Sequence, residues 1–174
     1  MNTTVLVAYA TRYGSTQEVA EVVASALREQ GLTTELQPMR EVRSLAGYSA
    51  VILGTPLMMF RWHTDARRFL ARHRAALTER PVAMFALGPV HDPHDAKEWQ
   101  DSRAQLTSEL ARFPWLTPVA CELFGGVFDP AKLHFPLNVL AGKAPASDAR
   151  DWSAIRAWAN DLAEQFQPAV HQEV

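Results

Sequence analysis

Three stretches of the chain are unbroken runs of aliphatic or β-branched residues closed off by turn residues: TTVLVAYA (3–10), SAVILGTP (49–56) and PVAMFALGP (81–89). A run without polar interruption suits a strand buried on both faces, the pattern of a parallel sheet covered by helices. Two weaker runs, TTELQPM (33–39) and TPVACELF (117–124), bring the expected strands to five. Between the runs the apolar spacing lengthens to the helical period. In 16–30, Val19, Val22, Val23, Ala26 and Leu27 share one face opposite Glu18, Glu21, Ser25, Arg28 and Glu29, and Gly31 stands where a helix would end. In 64–77, Ala66, Phe69, Leu70, His73 and Leu77 form a stripe that leaves Arg67, Arg68, Arg72 and Arg74 to solvent. A third helix is expected over 96–113 from Trp99, Leu106, Leu110 and Phe113, ending before Pro114. A fourth is expected over 148–166 from Trp152, Ile155, Ala159, Leu162 and Phe166, with Ser147 or Asp148 as its cap.

Strands alternating with amphipathic helices imply right-handed crossovers. The expected fold class is α/β, a doubly wound five-stranded parallel sheet of order 2-1-3-4-5 with helices on both faces. In such a sheet a ligand binds beyond the carboxyl ends of the strands, where the order reverses between the first and third. The loops after the first, third and fourth strands are therefore the places to look for chemistry.

Composition narrows the function. The 174 residues offer no interior linker and are read as one domain, 1–174. Seventeen Lys+Arg against nineteen Asp+Glu give a net charge of -2, which leaves no broad basic field for nucleic acid or an anionic membrane. The single cysteine, Cys121, excludes an internal disulfide framework and fits a reducing compartment; its apolar surroundings predict a buried strand thiol. No apolar run reaches the ~20 residues of a spanning helix. The start MNTTV carries no charged segment followed by an apolar one, so a cytoplasmic protein without a transmembrane segment is expected.

The first of the three loops reads ATRYGST and runs from the end of the first strand into the first helix. A helix N-terminus offers unpaired backbone N–H groups and a partial positive charge, which suit a phosphate. Thr11, Ser15 and Thr16 add hydroxyls, and Gly14 allows a close turn. An ordinary loop with Ser15 or Thr16 as N-cap would use the same residues. Neither G-x-x-x-x-G-K-[ST] nor G-x-G-x-x-G occurs here, so what remains is a hydroxyl-rich turn that holds an anion without lysine or metal.

TRYGST resembles the phosphate loop of the flavodoxin-like family, T/S-x-T-G-x-T, at Thr11, Gly14 and Thr16, with Tyr13 where threonine is usual. GYSAVILGTPLMMFRWH is similar to that family's third strand and the flavin-flanking loop after it, and RPVAMFALGP to its fourth strand. The resemblance implies FMN as cofactor, with its phosphate at Thr11, Arg12, Tyr13, Gly14, Ser15 and Thr16. It places the flavin ring between Pro56, Leu57, Met58, Met59 and Phe60 on one side and Leu87, Gly88, Pro89 and Val90 on the other. Met58, Met59, Phe60 and Trp62 are expensive to leave in water, at roughly 25 cal/mol per Å2. A flat ring, their own helix or a partner subunit would each cover them. The loop after the fourth strand has no tyrosine, so the outer face of the ring is expected to be open to a flat substrate.

That loop also contains His91, Asp92, His94 and Asp95, which are metal-donor types. Pro93 interrupts their spacing, Asp92 or Asp95 suits a helix cap, and no metal is expected. His91 is the candidate proton donor, since imidazole titrates near neutrality. Residues 125–147 show no clear secondary structure, yet Phe128, Leu133, Phe135, Leu137, Val139 and Leu140 make them too apolar for a linker. A lid beside the flavin or a homodimer contact would satisfy them. A segment in this place is similar to that of the menaquinone-dependent protoporphyrinogen dehydrogenases. The resemblance thus implies an FMN-dependent oxidoreductase whose partner is a small-molecule acceptor, quinone-like or porphyrinogen-type. An electron carrier between redox proteins and a flavin-free interaction domain remain as alternatives; the first is poorly served by so small a negative charge.

Overall fold

The structure is a computed structural model, and it describes residues 3–58, 61–91 and 94–167. The main sheet contains β1 (Thr4–Tyr9), β2 (Thr33–Pro38), β3 (Ala50–Met58), β5 (Val82–Leu87) and β6 (Ala120–Phe124). They lie in the order β2-β1-β3-β5-β6 and every neighbouring pair is parallel, which is the expected order with all five strands in place. A sixth, two-residue strand β4 (Arg61–Trp62) folds back antiparallel onto the end of β3, pairing Leu57 with Trp62 and Met58 with Arg61.

The unbroken apolar runs arise because both faces of the sheet are covered. Along β1, Val5, Val7 and Tyr9 point into the layer under α1 (Ser15–Glu29) and α6 (Trp152–Phe166). Leu6, Ala8 and Ala10 point into the opposite layer, under α2 (Thr64–Arg72), α3 (Arg74–Thr78) and α4 (Ala96–Leu110). β3 and β5 divide in the same way, with Ile52 and Phe85 on the first side and Leu53 and Met84 on the second. Burial of a side chain of this size contributes about 1.5–3 kcal/mol, and a register shift of one residue in a central strand would move each side chain into the opposite layer, where it does not match its neighbours. Gly54 makes room for one of these side chains: a Cβ there would come within 2.2 Å of the Phe85 ring.

Several expectations change. The helix expected over 64–77 is two helices, broken at His73, whose side chain is buried and whose Nε2 lies 3.3 Å from the Val42 carbonyl. Burial pushes the His73 pKa down, against the pull of that carbonyl, so the buried ring is held neutral and joins the apolar stripe. Of the arginines expected on its outer face, Arg68, Arg72 and Arg74 are exposed and Arg67 is half-buried. The last helix begins at Trp152 with Asp151 as its cap, because Ser147 and Asp148 form a short strand β8 instead. Cys121 is exposed, not buried, because β6 is an edge strand. Local desolvation, then the Glu122 carboxylate, still raise its thiol to about 11, which leaves it protonated and unreactive near neutrality.

Candidate functional site

The carboxyl ends of β1, β3 and β5 converge where the strand order reverses. Ala10 continues the ladder by donating to the Gly54 carbonyl at 2.9 Å, so the turn proper begins at Thr11. Thr11 Oγ1 accepts the Gly14 N–H at 2.8 Å, and Gly14 adopts φ 94° and ψ -11°. A Cβ at Gly14 would meet nothing within 4 Å, so backbone conformation and not crowding selects glycine there. Gly14 occupies the N-cap of α1 and no side chain caps the helix, contrary to the expectation for Ser15 or Thr16.

An uncapped first turn leaves its N–H groups open. Beside them Thr16 is fully buried, and its Oγ1 has no hydrogen-bond partner among the described residues. The Tyr13 hydroxyl is in the same condition. A buried hydroxyl without a partner costs about 1–3 kcal/mol. The Thr16 hydroxyl in the uncapped first turn, where the dipole favours an anion, makes a site that fits a phosphate group. Arg12 is exposed, with its guanidinium 5.3 Å from the centre of the Tyr13 ring.

A cleft of about 210 Å3 opens over this turn, with Arg12, Tyr13, Ser15 and Thr16 on one side. Pro56 and Leu57 come to it from the end of β3, and Leu87, Gly88 and Val90 from the end of β5. Pro89 is buried and does not line it; its carbonyl accepts the Gly126 N–H at 2.6 Å. Met59 and Phe60 lie outside the described residues, and Met58 is placed only as the last residue of β3. Trp62 does not face the cleft. It is 2% exposed and stacks on Phe113 at 5.5 Å in the α4 layer, so its apolar surface is covered by the protein's own core.

Residues 125–147, expected to lack clear secondary structure, contain β7 (Val127–Phe128), a 3-10 turn at Pro130–Lys132 and the one-turn helix α5 (Leu137–Ala141), and β7 pairs antiparallel with β8 (Ser147–Asp148). Gly126, Val127, Phe128 and Leu133 form the remaining wall of the cleft, while Phe135, Val139 and Leu140 are 81%, 66% and 77% exposed. The apolar residues of the segment are thus divided between the cleft and the surface. Gly125 permits the strand pair to close, since a Cβ there would lie 1.9 Å from the Ala149 carbonyl oxygen.

His91 is exposed and outside the cleft lining, with its Nδ1 2.8 Å from a Glu98 carboxylate oxygen. Glu98 also accepts the N–H groups of Val90 at 2.8 Å and His91 at 3.2 Å. Partial burial raises the Glu98 pKa, but the Val90 and His91 N–H groups and the His91 ring outweigh it and hold the carboxyl below its ordinary value. Asp95 caps α4 through the N–H groups of Lys97 and Glu98. His91, Asp95 and Glu98 bring their donor atoms within 4.8 Å of one another, but both carboxylates are engaged by backbone. His94 stacks on Trp99 at 5.4 Å, and Asp92 lies outside the described residues.

A second opening, about 630 Å3, runs beside α4 past Asp95, Lys97, Glu98 and Asp101. It shares Leu57 and Gly88 with the first cleft, so the two adjoin at the ends of β3 and β5.

Residues 6–137 match the flavodoxin domain family. The chain belongs to it. FMN is the cofactor of that family. Among curated proteins, the chain is 25% identical over 126 residues to the protoporphyrinogen IX dehydrogenase [quinone] of Escherichia coli (strain K12), covering 63% of this chain and 70% of that one. Among solved structures, a Pseudomonas aeruginosa flavodoxin superposes with a TM-score of 0.60 at 17% identity, covering 95% of this chain and 99% of that one. The rubredoxin oxygen:oxidoreductase of Desulfovibrio gigas gives 0.59 at 15% identity, over 94% of this chain and 36% of that protein. No described helix of this flavodoxin-family chain is long and apolar enough to cross a membrane.

Proposed function

We propose that this chain is an FMN-dependent oxidoreductase that passes electrons between a donor and a small molecule of the quinone or porphyrinogen type. The observation that carries the reading is the buried, unpartnered Thr16 hydroxyl at the uncapped start of α1, directly under a cleft walled by Leu57, Gly88, Val90 and Phe128. The first-turn N–H groups, Ser15 and Thr16 would hold the phosphate, and the apolar walls would exclude water from the ring. When bound, FMN supplies the electron exchange, with one or two electrons per turnover. The chain's own part is to orient the cofactor and leave one side reachable.

The opening beside α4 supports a small-molecule partner, because it meets the cleft at Leu57 and Gly88 and has room for one. The quinone and porphyrinogen classes come from the Escherichia coli relative's name. His91, in contact with the Glu98 that lines this opening, is proposed as the proton donor. The test is stopped-flow reoxidation of the reduced, FMN-loaded protein. Rapid reoxidation by a soluble quinone or oxidation of a porphyrinogen supports the reading; reoxidation only by a redox protein contradicts it in favour of a carrier.

A further inference from the structure

We propose that Lys132, in the segment after β6, is a further cofactor-binding residue whose ammonium group neutralises the phosphate held at the start of α1. The inference rests on the FMN reading above and concerns a residue outside the phosphate turn. Lys132 Nζ lies 3.4 Å from the carbonyl oxygen of Tyr13, inside that turn. It lines a small cavity together with Tyr13, Ser15 and Phe128, all three of which also line the larger cleft, so the two spaces adjoin at the turn.

Three cations stand near the turn, and among the described residues only Arg150 is held in ion pairs. Arg150 is engaged by Glu18 at 2.6 Å and Asp148 at 2.7 Å. Arg12 lies over the Tyr13 ring. Lys132 has no carboxylate within ion-pairing distance among the described residues, and its bond to the Tyr13 carbonyl is long enough to be exchanged for a stronger acceptor. Without it a phosphate dianion at this turn would meet neutral donors and the exposed Arg12, with Glu18 adding negative charge in the same helical turn.

Lys132 is also held in place before any ligand arrives. Asp129 caps its 3-10 turn by accepting the Ala131 N–H at 3.0 Å, and the Lys132 N–H donates to the Asp129 carbonyl at 3.1 Å. Upstream, Gly126 is bonded to Pro89; downstream, Ser147 Oγ donates to the Val90 carbonyl. The segment is therefore tied at both ends to the loop after β5, so the backbone that carries the lysine is ordered before an anion arrives.

The test compares FMN with riboflavin, which lacks the phosphate, by flavin-fluorescence titration of flavin-free wild type, Lys132→Gln and Lys132→Arg. Lys132→Gln is expected to weaken FMN about tenfold, leave riboflavin within about twofold of wild type, and reduce the salt dependence of FMN binding. Lys132→Arg is expected to stay near wild type for both. Unchanged FMN affinity in Lys132→Gln overturns the inference while leaving the cofactor reading intact. Equal weakening of both flavins overturns it as well, assigning the lysine to the shape of the segment. A wild type that binds neither flavin overturns the cofactor reading and this inference together.

Discussion

Arg150 bolts the segment after β6 to the first turn of α1: its Nη1 lies 2.6 Å from the Glu18 carboxylate and its Nη2 2.7 Å from Asp148. Its side chain is 9% exposed and lies over the Trp152 ring at 4.7 Å. One side chain therefore couples the phosphate turn to the wall of the cleft that contains Phe128 and Leu133. Arg150→Met keeps much of the packing and removes the charge. It is expected to cost about 1–2 kcal/mol in urea unfolding, modest because Glu18 and Asp148 are about half exposed. FMN affinity should fall with it. Unchanged stability and unchanged affinity would mean that the segment is held by its strand pair alone.

Thr16→Val replaces a buried hydroxyl that has no partner among the described residues with a methyl of similar size. Flavin-free protein should be as stable as wild type or up to about 1 kcal/mol more stable, while FMN binding weakens by about tenfold or more. The opposite signs matter, because a structural threonine would lose stability and leave affinity alone. Denaturation and flavin titration on the same samples check both.

Glu98 links the loop after β5 to pH. Its folded pKa is depressed, so the stability it contributes is present above the unfolded carboxyl value of about 4.3 and is lost as the pH falls through the folded value. Its bonds to Val90 and His91 hold one wall of the cleft, so that wall should loosen in the same range. The stability difference between wild type and Glu98→Gln is expected to be largest above about pH 5 and to shrink below about pH 4. A difference that stays constant across that range would contradict the assignment.

The parts of this fold that were legible in the sequence are those governed by one repeating constraint. Strands such as VLVAY and VAMFAL are buried on both faces, so every position must be apolar, and their order is one that doubly wound sheets of five strands commonly adopt. The tight turn at Thr11 and Gly14 was legible because glycine readily takes the positive φ that the turn requires. What was not legible depends on partners far away in sequence. Trp62 looks like a ring-facing residue until β4 folds back and presents it to Phe113. His73 fits a helical stripe, but its contact with Val42 sits where the helix breaks. The Lys132 and Arg150 contacts span 119 and 132 positions, and no local pattern encodes them.

The account turns on whether an FMN phosphate sits at the start of α1. Titrating flavin-free protein with FMN, in wild type and in Gly14→Val, measures this most directly. The account predicts saturable binding of one FMN per chain in wild type. It also predicts at least about tenfold weaker binding in Gly14→Val, where a β-branched side chain cannot hold φ 94° without strain. No binding to wild type, or equal binding to both, would contradict it.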